Sequence, residues 1–211
     1  MQVQKLGHAC LLLTTTAGNR VLIDPGTFSS GFEDLTELSG ILITHQHADH
    51  LDLERLPALL VANPTVMLFA DPASAGVLRE HGFDAEVAEH GGRYDLNGVA
   101  VEGIGTTHAT IHADIPLVPN VGYLVEGQLF HPGDALTVPD RAIDVLALPA
   151  GAPWAKSGEV IDYLREVAPR VAVPIHEGTL ARPQMEYTRY AELGPTGTEF
   201  VVIDDGEPRE F

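Results

Sequence analysis

The stretch Thr44-His45-Gln46-His47-Ala48-Asp49-His50 constrains this chain more than any other: three imidazoles and a carboxylate fall between positions 45 and 50. Gly40, Ile41, Leu42 and Ile43 precede it as a short apolar run, the pattern of a buried strand. Leu51, Leu53 and Leu56, interleaved with Asp52, Glu54 and Arg55, follow it with helix-like spacing. The cluster therefore sits on the loop leaving a strand, where a rigid scaffold presents functional side chains. Neutral imidazole and carboxylate suit zinc, iron or manganese. His45 and His47, two positions apart, face the same way on extended backbone. The adjacent Asp49 and His50 point elsewhere, which favours two neighbouring ions over one.

The rest of the composition sets bounds. A chain of 211 residues fits one domain, or two fused half-size units, and its 45% hydrophobic content is ordinary for a globular protein. No apolar run approaches the roughly 20 residues of a membrane span. Residues 1–5 lead directly into a strand pattern, not into a signal peptide. The single cysteine, Cys10, excludes an intramolecular disulfide, so a reducing cytoplasm is expected; it lies in an apolar run and reads as core. The net charge is −18, from 12 basic and 30 acidic residues, and Arg165, Arg170 and Arg182 are scattered rather than striped. Nucleic acid, which needs a basic surface, is an unsuitable partner; a small-molecule substrate is the expectation, and the acidity reads as a solubility effect.

Periodicity and turn chemistry predict strands over residues 3–6, 10–15, 21–23, 40–43, 66–69, 83–88, 99–101, 120–125, 129–131, 142–148, 170–175 and 199–203. Helices are predicted over 53–61, 72–80, 157–167 and 183–193. Asp71-Pro72 is an N-cap followed by proline at the first helical position. Ser157 caps the next helix, whose Val160, Ile161, Leu164 and Val167 make one apolar stripe. Glu126-Gly127 makes a hairpin turn. His81 and His90 stand beside glycines at element ends and read as surface residues. Each half runs strands first and helices later.

The pattern His45-x-His47-x-Asp49-His50 after an apolar strand is similar to the signature of the metallo-β-lactamase-fold hydrolases. Leu6-Gly7-His8 and the strand ending at Asp24-Pro25 resemble the opening of the small members related to ascorbate-phosphate lactonase. The resemblance covers nearly the whole chain and implies an α/β fold, a four-layer αββα sandwich of two similar halves in a single domain over 1–211. It also implies the remaining ligands: His108 before the Asn120-x-Gly122-Tyr123 strand, Asp134 of the Gly133-Asp134 pair, and His176 of Pro174-x-His176. His45, His47 and His108 would hold one divalent ion, and Asp49, His50 and His176 a second. Asp134 would span both, with a bridging water or hydroxide as nucleophile and Asp49 taking or relaying its proton. Zinc is the expected metal, with manganese or iron as alternatives.

Other roles follow from the same resemblance or stay open beside it. Asp24 is a buried carboxylate orienting the ligand loop, or caps the Pro25-Gly26 turn. His8 faces the metals or fills its turn. His131 supports rather than ligates, and His112 reads as a loop histidine. Ala135 stands where relatives often carry a hydroxyl. The loop over 151–156 offers Trp154 and Lys156 as a pocket wall, Lys156 for an anionic group; alternatively Trp154 packs under the following helix and Lys156 is solvated. No Gly-x-Ser-x-Gly elbow is present. The expected function is binuclear metal-dependent hydrolysis of a lactone, other ester or phosphoester. A nuclease of the same fold, a di-iron redox protein with a flavin partner, and a non-enzymatic metal-binding protein are the rivals.

Overall fold

Leu11-Leu12-Leu13, Val21-Leu22-Ile23 and Ile41-Leu42-Ile43 are apolar at consecutive positions because their sheet is covered on both faces. Leu11, Leu13, Val21, Ile23 and Leu42 turn towards a second sheet, whereas Leu12, Leu22, Ile41 and Ile43 turn towards helices. A computed structural model describing residues 1–211 shows the resulting arrangement. The first half runs β1 (Gln2–Lys5), β2 (Leu11–Thr14), β3 (Arg20–Ile23), β4 (Leu38–Ile43), α1 (Leu56–Ala62), β5 (Met67–Ala70), α2 (Pro72–Glu80) and β6 (Glu86–Val87). The second runs β7 (Arg93–Asp95), β8 (Ala100–Ile104), β9 (Gly122–Val125), β10 (Leu129–His131), β11 (Val145–Pro149), α3 (Ser157–Val167), β12 (Val171–Ile175), α4 (Pro183–Leu193) and β13 (Glu199–Phe200). A last strand, β14 (Pro208–Glu210), returns to the first half.

The two sheets are wired alike. One has the order β14-β1-β2-β3-β4-β5-β6 and the other β13-β12-β11-β10-β9-β8-β7. From β14 to β3, and from β7 to β10, neighbours are antiparallel; from β3 to β6, and from β10 to β13, they are parallel. In this shared pattern the loops after the second, fourth, fifth and sixth strands (β1 and β8, β3 and β10, β4 and β11, β5 and β12) open on one rim, and the site is built there.

Three apolar layers hold the sandwich. The one between the sheets has 22 buried residues, against 16 under α1 and α2 and 15 under α3 and α4, so sheet-on-sheet packing supplies the largest share of the core. Cys10 is buried under the first pair of helices. No helix is long and apolar enough to cross a membrane.

The structure corrects several sequence boundaries. The helix expected over 53–61 starts at Leu56, which puts Pro57 in the first turn, where a missing N–H costs nothing. Ser157 is the first residue of α3 rather than its cap; Lys156 holds the cap position, and Glu159 accepts a weak hydrogen bond from its backbone N–H at 3.4 Å. The strands expected over 83–88 and 199–203 shrink to two residues each. Both β7 and β14 went unpredicted, because edge strands of mostly exposed polar residues carry no hydrophobic alternation.

Asp71 caps α2 from a fully buried position, accepting from the N–H groups of Ala73 at 3.0 Å and Ser74 at 3.2 Å. Burial, working against those hydrogen bonds, pushes its pKa up to about 6. The native state thus holds this proton more tightly than the unfolded chain. The associated stability is complete below the unfolded value of about 4 and is lost as pH rises through 6. Asp71→Asn keeps the cap and removes the slope. In urea titrations, parent stability minus variant stability is expected to fall by on the order of 2 kcal/mol between pH 4 and pH 7; a constant difference would mean that Asp71 titrates normally.

Candidate metal centre

The centre starts at the end of β3, where the chain turns through Asp24 with φ of +50°, a left-handed conformation unusual for a non-glycine residue. The turn lies directly beneath the 44–50 loop. A Cβ on Gly26 would fall 1.8 Å from the Asp49 carbonyl oxygen, so only glycine fits. Thr27 N–H donates to the Ala48 carbonyl at 2.8 Å, tying the two loops together. The Asp24 carboxylate is fully buried and accepts three hydrogen bonds: from Thr44 N–H at 2.8 Å, from the Thr44 hydroxyl at 2.7 Å and from His50 Nδ1–H at 2.7 Å.

These contacts, and others like them, settle which imidazole nitrogen faces inward. His50 donates from Nδ1 to Asp24. His108 donates from Nδ1 to the Ala109 carbonyl at 2.5 Å, His176 from Nδ1 to the Gly151 carbonyl at 2.9 Å, and His45 from Nδ1 to the Thr44 hydroxyl oxygen at 3.1 Å. Each Nε2 is therefore the ring nitrogen turned into the centre. His45 Nε2 and His47 Nδ1 converge to 3.0 Å.

Asp134 enters from the turn after β10. Asn120 holds that turn, donating to the Pro132 carbonyl and accepting from Asp134 N–H, both at 2.9 Å. Gly133, at φ of +63°, passes so close that a Cβ would meet Asn120 Oδ1 at 2.4 Å. Asp134 Oδ1 lies 3.0 Å from His50 Nε2, while Oδ2 lies 3.1 Å from His176 Nε2 and 3.3 Å from His108 Nε2. Trp154 Nε1–H donates to Oδ2 at 2.9 Å. Two groups emerge whose ligand atoms lie within 4.8 Å of one another: His45, His47, His108 and Asp134; and His8, Asp49, His50 and His176. His50 Nε2, His108 Nε2, His176 Nε2 and Asp134 Oδ1 are buried without a hydrogen-bond partner. Buried polar atoms are rarely left so, and divalent cations shared among them would satisfy all four. The donor set fits such ions.

His8 and His131 differ from the others. Gly178 N–H donates to His8 Nδ1 at 3.1 Å, which puts the ring proton on Nε2, where it faces Asp49 Oδ2 at 3.2 Å. Burial first, then His176 and His50, lower the His8 pKa against the pull of Asp49, so the ring is a neutral donor. His131 donates from Nε2 to the Ala9 carbonyl at 2.9 Å and accepts from Gly133 N–H, so both its nitrogens are used. His112 is exposed beside Asp114, away from the centre.

The charge distribution is strongly coupled. Burial depresses His45, with His50 adding to the effect. Burial opposes the imidazolium of His50, yet Asp134 and Asp24 outweigh it and push its pKa well up. Burial likewise opposes ionisation of Asp134, but His50, His108 and His176 hold it well below the usual carboxylate range. Asp49 is held at about 2 despite burial, chiefly by the His8 hydrogen bond and by His50.

A cavity of about 350 Å³ opens over the centre, walled by Thr27, Phe28, Ile111, Pro153, Trp154 and Thr179. Trp154 is thus both wall and hydrogen-bond donor to Asp134. Lys156 is not part of the wall: its side chain is 84% exposed and pairs with Glu159 at 3.1 Å. The expectation that it faces the pocket is corrected, because a cap-position lysine is drawn to the acidic residue one turn along the helix. The sequence reading missed Thr44 and Asn120 as supports. Their signals were position alone, directly before His45 and at the start of Asn-x-Gly-Tyr.

Asp24→Ala should lower metal affinity by about 10- to 100-fold, because His50 and Thr44 lose their shared acceptor. Chelator competition on the folded variant measures this; unchanged affinity would mean that the loop holds its ligands without Asp24.

The chain is similar to known proteins over nearly its whole length. A Mycobacterium tuberculosis protein, Rv0786c, is 47% identical over 97% of both chains. A UPF0173 metal-dependent hydrolase of Methanopyrus kandleri is 27% identical over the full length of both. Among solved structures, Igni18, described as a metallo hydrolase from Ignicoccus hospitalis, superimposes with a TM-score of 0.75 at 22% identity, covering 100% of this chain and 98% of its own. Residues 2–176 match the model of the beta-lactamase superfamily domain, and the chain belongs to that family.

Proposed function

We propose that this metal-dependent hydrolase cleaves a small-molecule lactone, other ester or phosphoester, with residues 1–211 forming one catalytic domain around two divalent ions. Zinc is the first choice, manganese or iron the alternatives. The observation that carries the reading is the set of four buried, unpartnered atoms on His50, His108, His176 and Asp134. They come from separate loops, and each of the three rings is already fixed from behind by a carbonyl or carboxylate.

In this reading His45, His47 and His108 hold one ion, and Asp49, His50 and His176 the other. Asp134 spans them, because its two oxygens face histidines of both groups. Two such ions supply a water acidic enough to attack at neutral pH and a Lewis acid for the substrate oxygen. Asp49 is the catalytic carboxylate. His8 Nε2–H engages Asp49 Oδ2, which leaves Oδ1 to hold a metal or to accept a proton at the attacking water. His8 is a positioning residue, its tautomer set by Gly178. Trp154 orients Asp134 in the same way.

The nuclease alternative has less support, since none of the 12 lysines and arginines lines the cavity. Elemental analysis after gentle purification should find about two ions per chain, one for each ligand group; a value near zero that reconstitution cannot raise would sink the proposal. Against lactones, thioesters, phosphodiesters and RNA, the loaded protein should hydrolyse a small molecule and spare RNA. Asp49→Ala should abolish most of that activity with an unchanged circular dichroism spectrum.

A further inference from the structure

The cavity over the centre has two chemically distinct parts. Its floor is imidazole and carboxylate: His47, Asp49, His108, Asp134 and His176. Its walls are Phe28, Ile111, Pro153, Trp154 and the methyl of Ala48, relieved only by the hydroxyls of Thr27 and Thr179. A smaller recess shares His47, His108 and Ile111 with it and continues the apolar surface over Ile115, Pro116, Leu117 and Val118.

This surface is unusual for the molecule. Of nine exposed large hydrophobic residues, four stand at this mouth: Phe28 on one side, and Ile111, Ile115 and Leu117 on the other. The last three lie on one segment between β8 and β9, immediately after His108. Exposed apolar side chains scattered singly need no explanation, but a contiguous set continuous with a polar centre marks a binding surface. No lysine or arginine joins it. Lys156, the cation nearest in sequence to Trp154, is turned away to Glu159.

We infer that the substrate is an uncharged carboxylic ester or lactone carrying an apolar substituent, whose reacting carbonyl sits over the floor while the substituent lies against Phe28, Ile111, Trp154 and Leu117. The inference rests on the hydrolase reading above and narrows it. A substrate with a charged tail is disfavoured, because the tail would lose its water against walls that offer no counter-charge. Hydrolysis adds water across the acyl carbon–oxygen bond: the acyl part leaves as carboxylate and a proton, the other oxygen as a hydroxyl.

The test separates this inference from the reading beneath it. Trp154 is the only tryptophan and lines the cavity, so its fluorescence reports occupancy without turnover. The zinc-loaded full chain is titrated with an uncharged long-chain methyl ketone and with the same ketone ending in a carboxylate. In parallel, kcat/KM is measured for p-nitrophenyl esters from acetate to octanoate and for matched esters with a terminal carboxylate. The neutral ketone should shift Trp154 emission and the carboxylate-tailed one should bind at least about tenfold more weakly. Each added methylene should raise kcat/KM about two- to fourfold, and Ile111→Ser or Leu117→Ser should flatten that rise. Ketone binding with no ester hydrolysis would keep the apolar site and refute the hydrolase reading. Hydrolysis that ignores chain length, or that favours the charged tails, would keep the hydrolase and overturn the inference.

Discussion

Everything at the centre depends on how a single buried carboxylate is satisfied. Asp24 has no lysine or arginine beside it, and an isolated carboxylate removed from water costs several kcal/mol, on the order given by partial desolvation. Three donors compensate it: the backbone and hydroxyl of Thr44 and the Nδ1–H of His50. The same three bonds fix the start and the end of the 44–50 loop against the end of β3. They also choose the tautomer of His50, and through the Thr44 hydroxyl they give His45 Nδ1–H an acceptor. The backbone bears strain for this. Of seven non-glycine residues with positive φ, three are His8, Asp24 and His176, all at the centre. Such conformations cost about 1–3 kcal/mol each and persist where surrounding bonds over-determine them.

The duplicated wiring explains why ligands arrive from so many segments yet meet on one rim. The turn after β1 carries His8, and the corresponding segment after β8 carries His108. The turn after β3 carries Asp24, and that after β10 carries Asp134. The end of β5 leads to Asp71, and the end of β12 to His176. Equivalent positions have thus taken different tasks. Asp134 stands among the inward nitrogens, while Asp24 stands behind them; His176 faces the centre, while Asp71 caps α2. The histidine-rich loop after β4 has as its counterpart the loop after β11, with Trp154 and the Gly151 carbonyl that holds His176. One half supplies most of the inward groups and the other much of their support, an asymmetry grafted on a symmetric scaffold.

What the sequence made legible follows from the range of each interaction. The cluster at 45–50 was readable because its members are consecutive, and β2, β3 and β4 because burial on both faces leaves a continuous apolar run. The bounds of α2, α3 and α4 came out as observed: Pro72 and Pro183 open α2 and α4, and α3 carries the apolar stripe Val160, Ile161, Leu164 and Val167 at helical spacing. The strands β7 and β14 were not readable: their residues are polar, and their neighbours' backbones alone decide that they pair. The tautomer of His8 was equally hidden, because it is set by Gly178, 170 residues away. For Trp154 the alternatives were wall or buried packing, and the residue does both, with its ring on the cavity and its N–H on Asp134. No local pattern encodes a side chain with two partners.

The overall charge bears on the same chemistry. At −18, the two divalent ions proposed above would bring the chain only to −14, still strongly acidic. Such a field draws cations towards the centre and opposes anions approaching it, although salt confines the effect to about 8 Å from exposed charges. An anionic substrate would meet this opposition on entry. An uncharged ester enters without it, and only the carboxylate formed by hydrolysis experiences the repulsion. The field then acts on product release rather than on binding, which is the more useful side of a turnover to assist when product departure is slow. The apolar walls and the acidic exterior are therefore consistent with each other for the inferred substrate: the walls would retain a neutral ester by contact, and the surrounding carboxylates would favour departure of the anion that its hydrolysis makes.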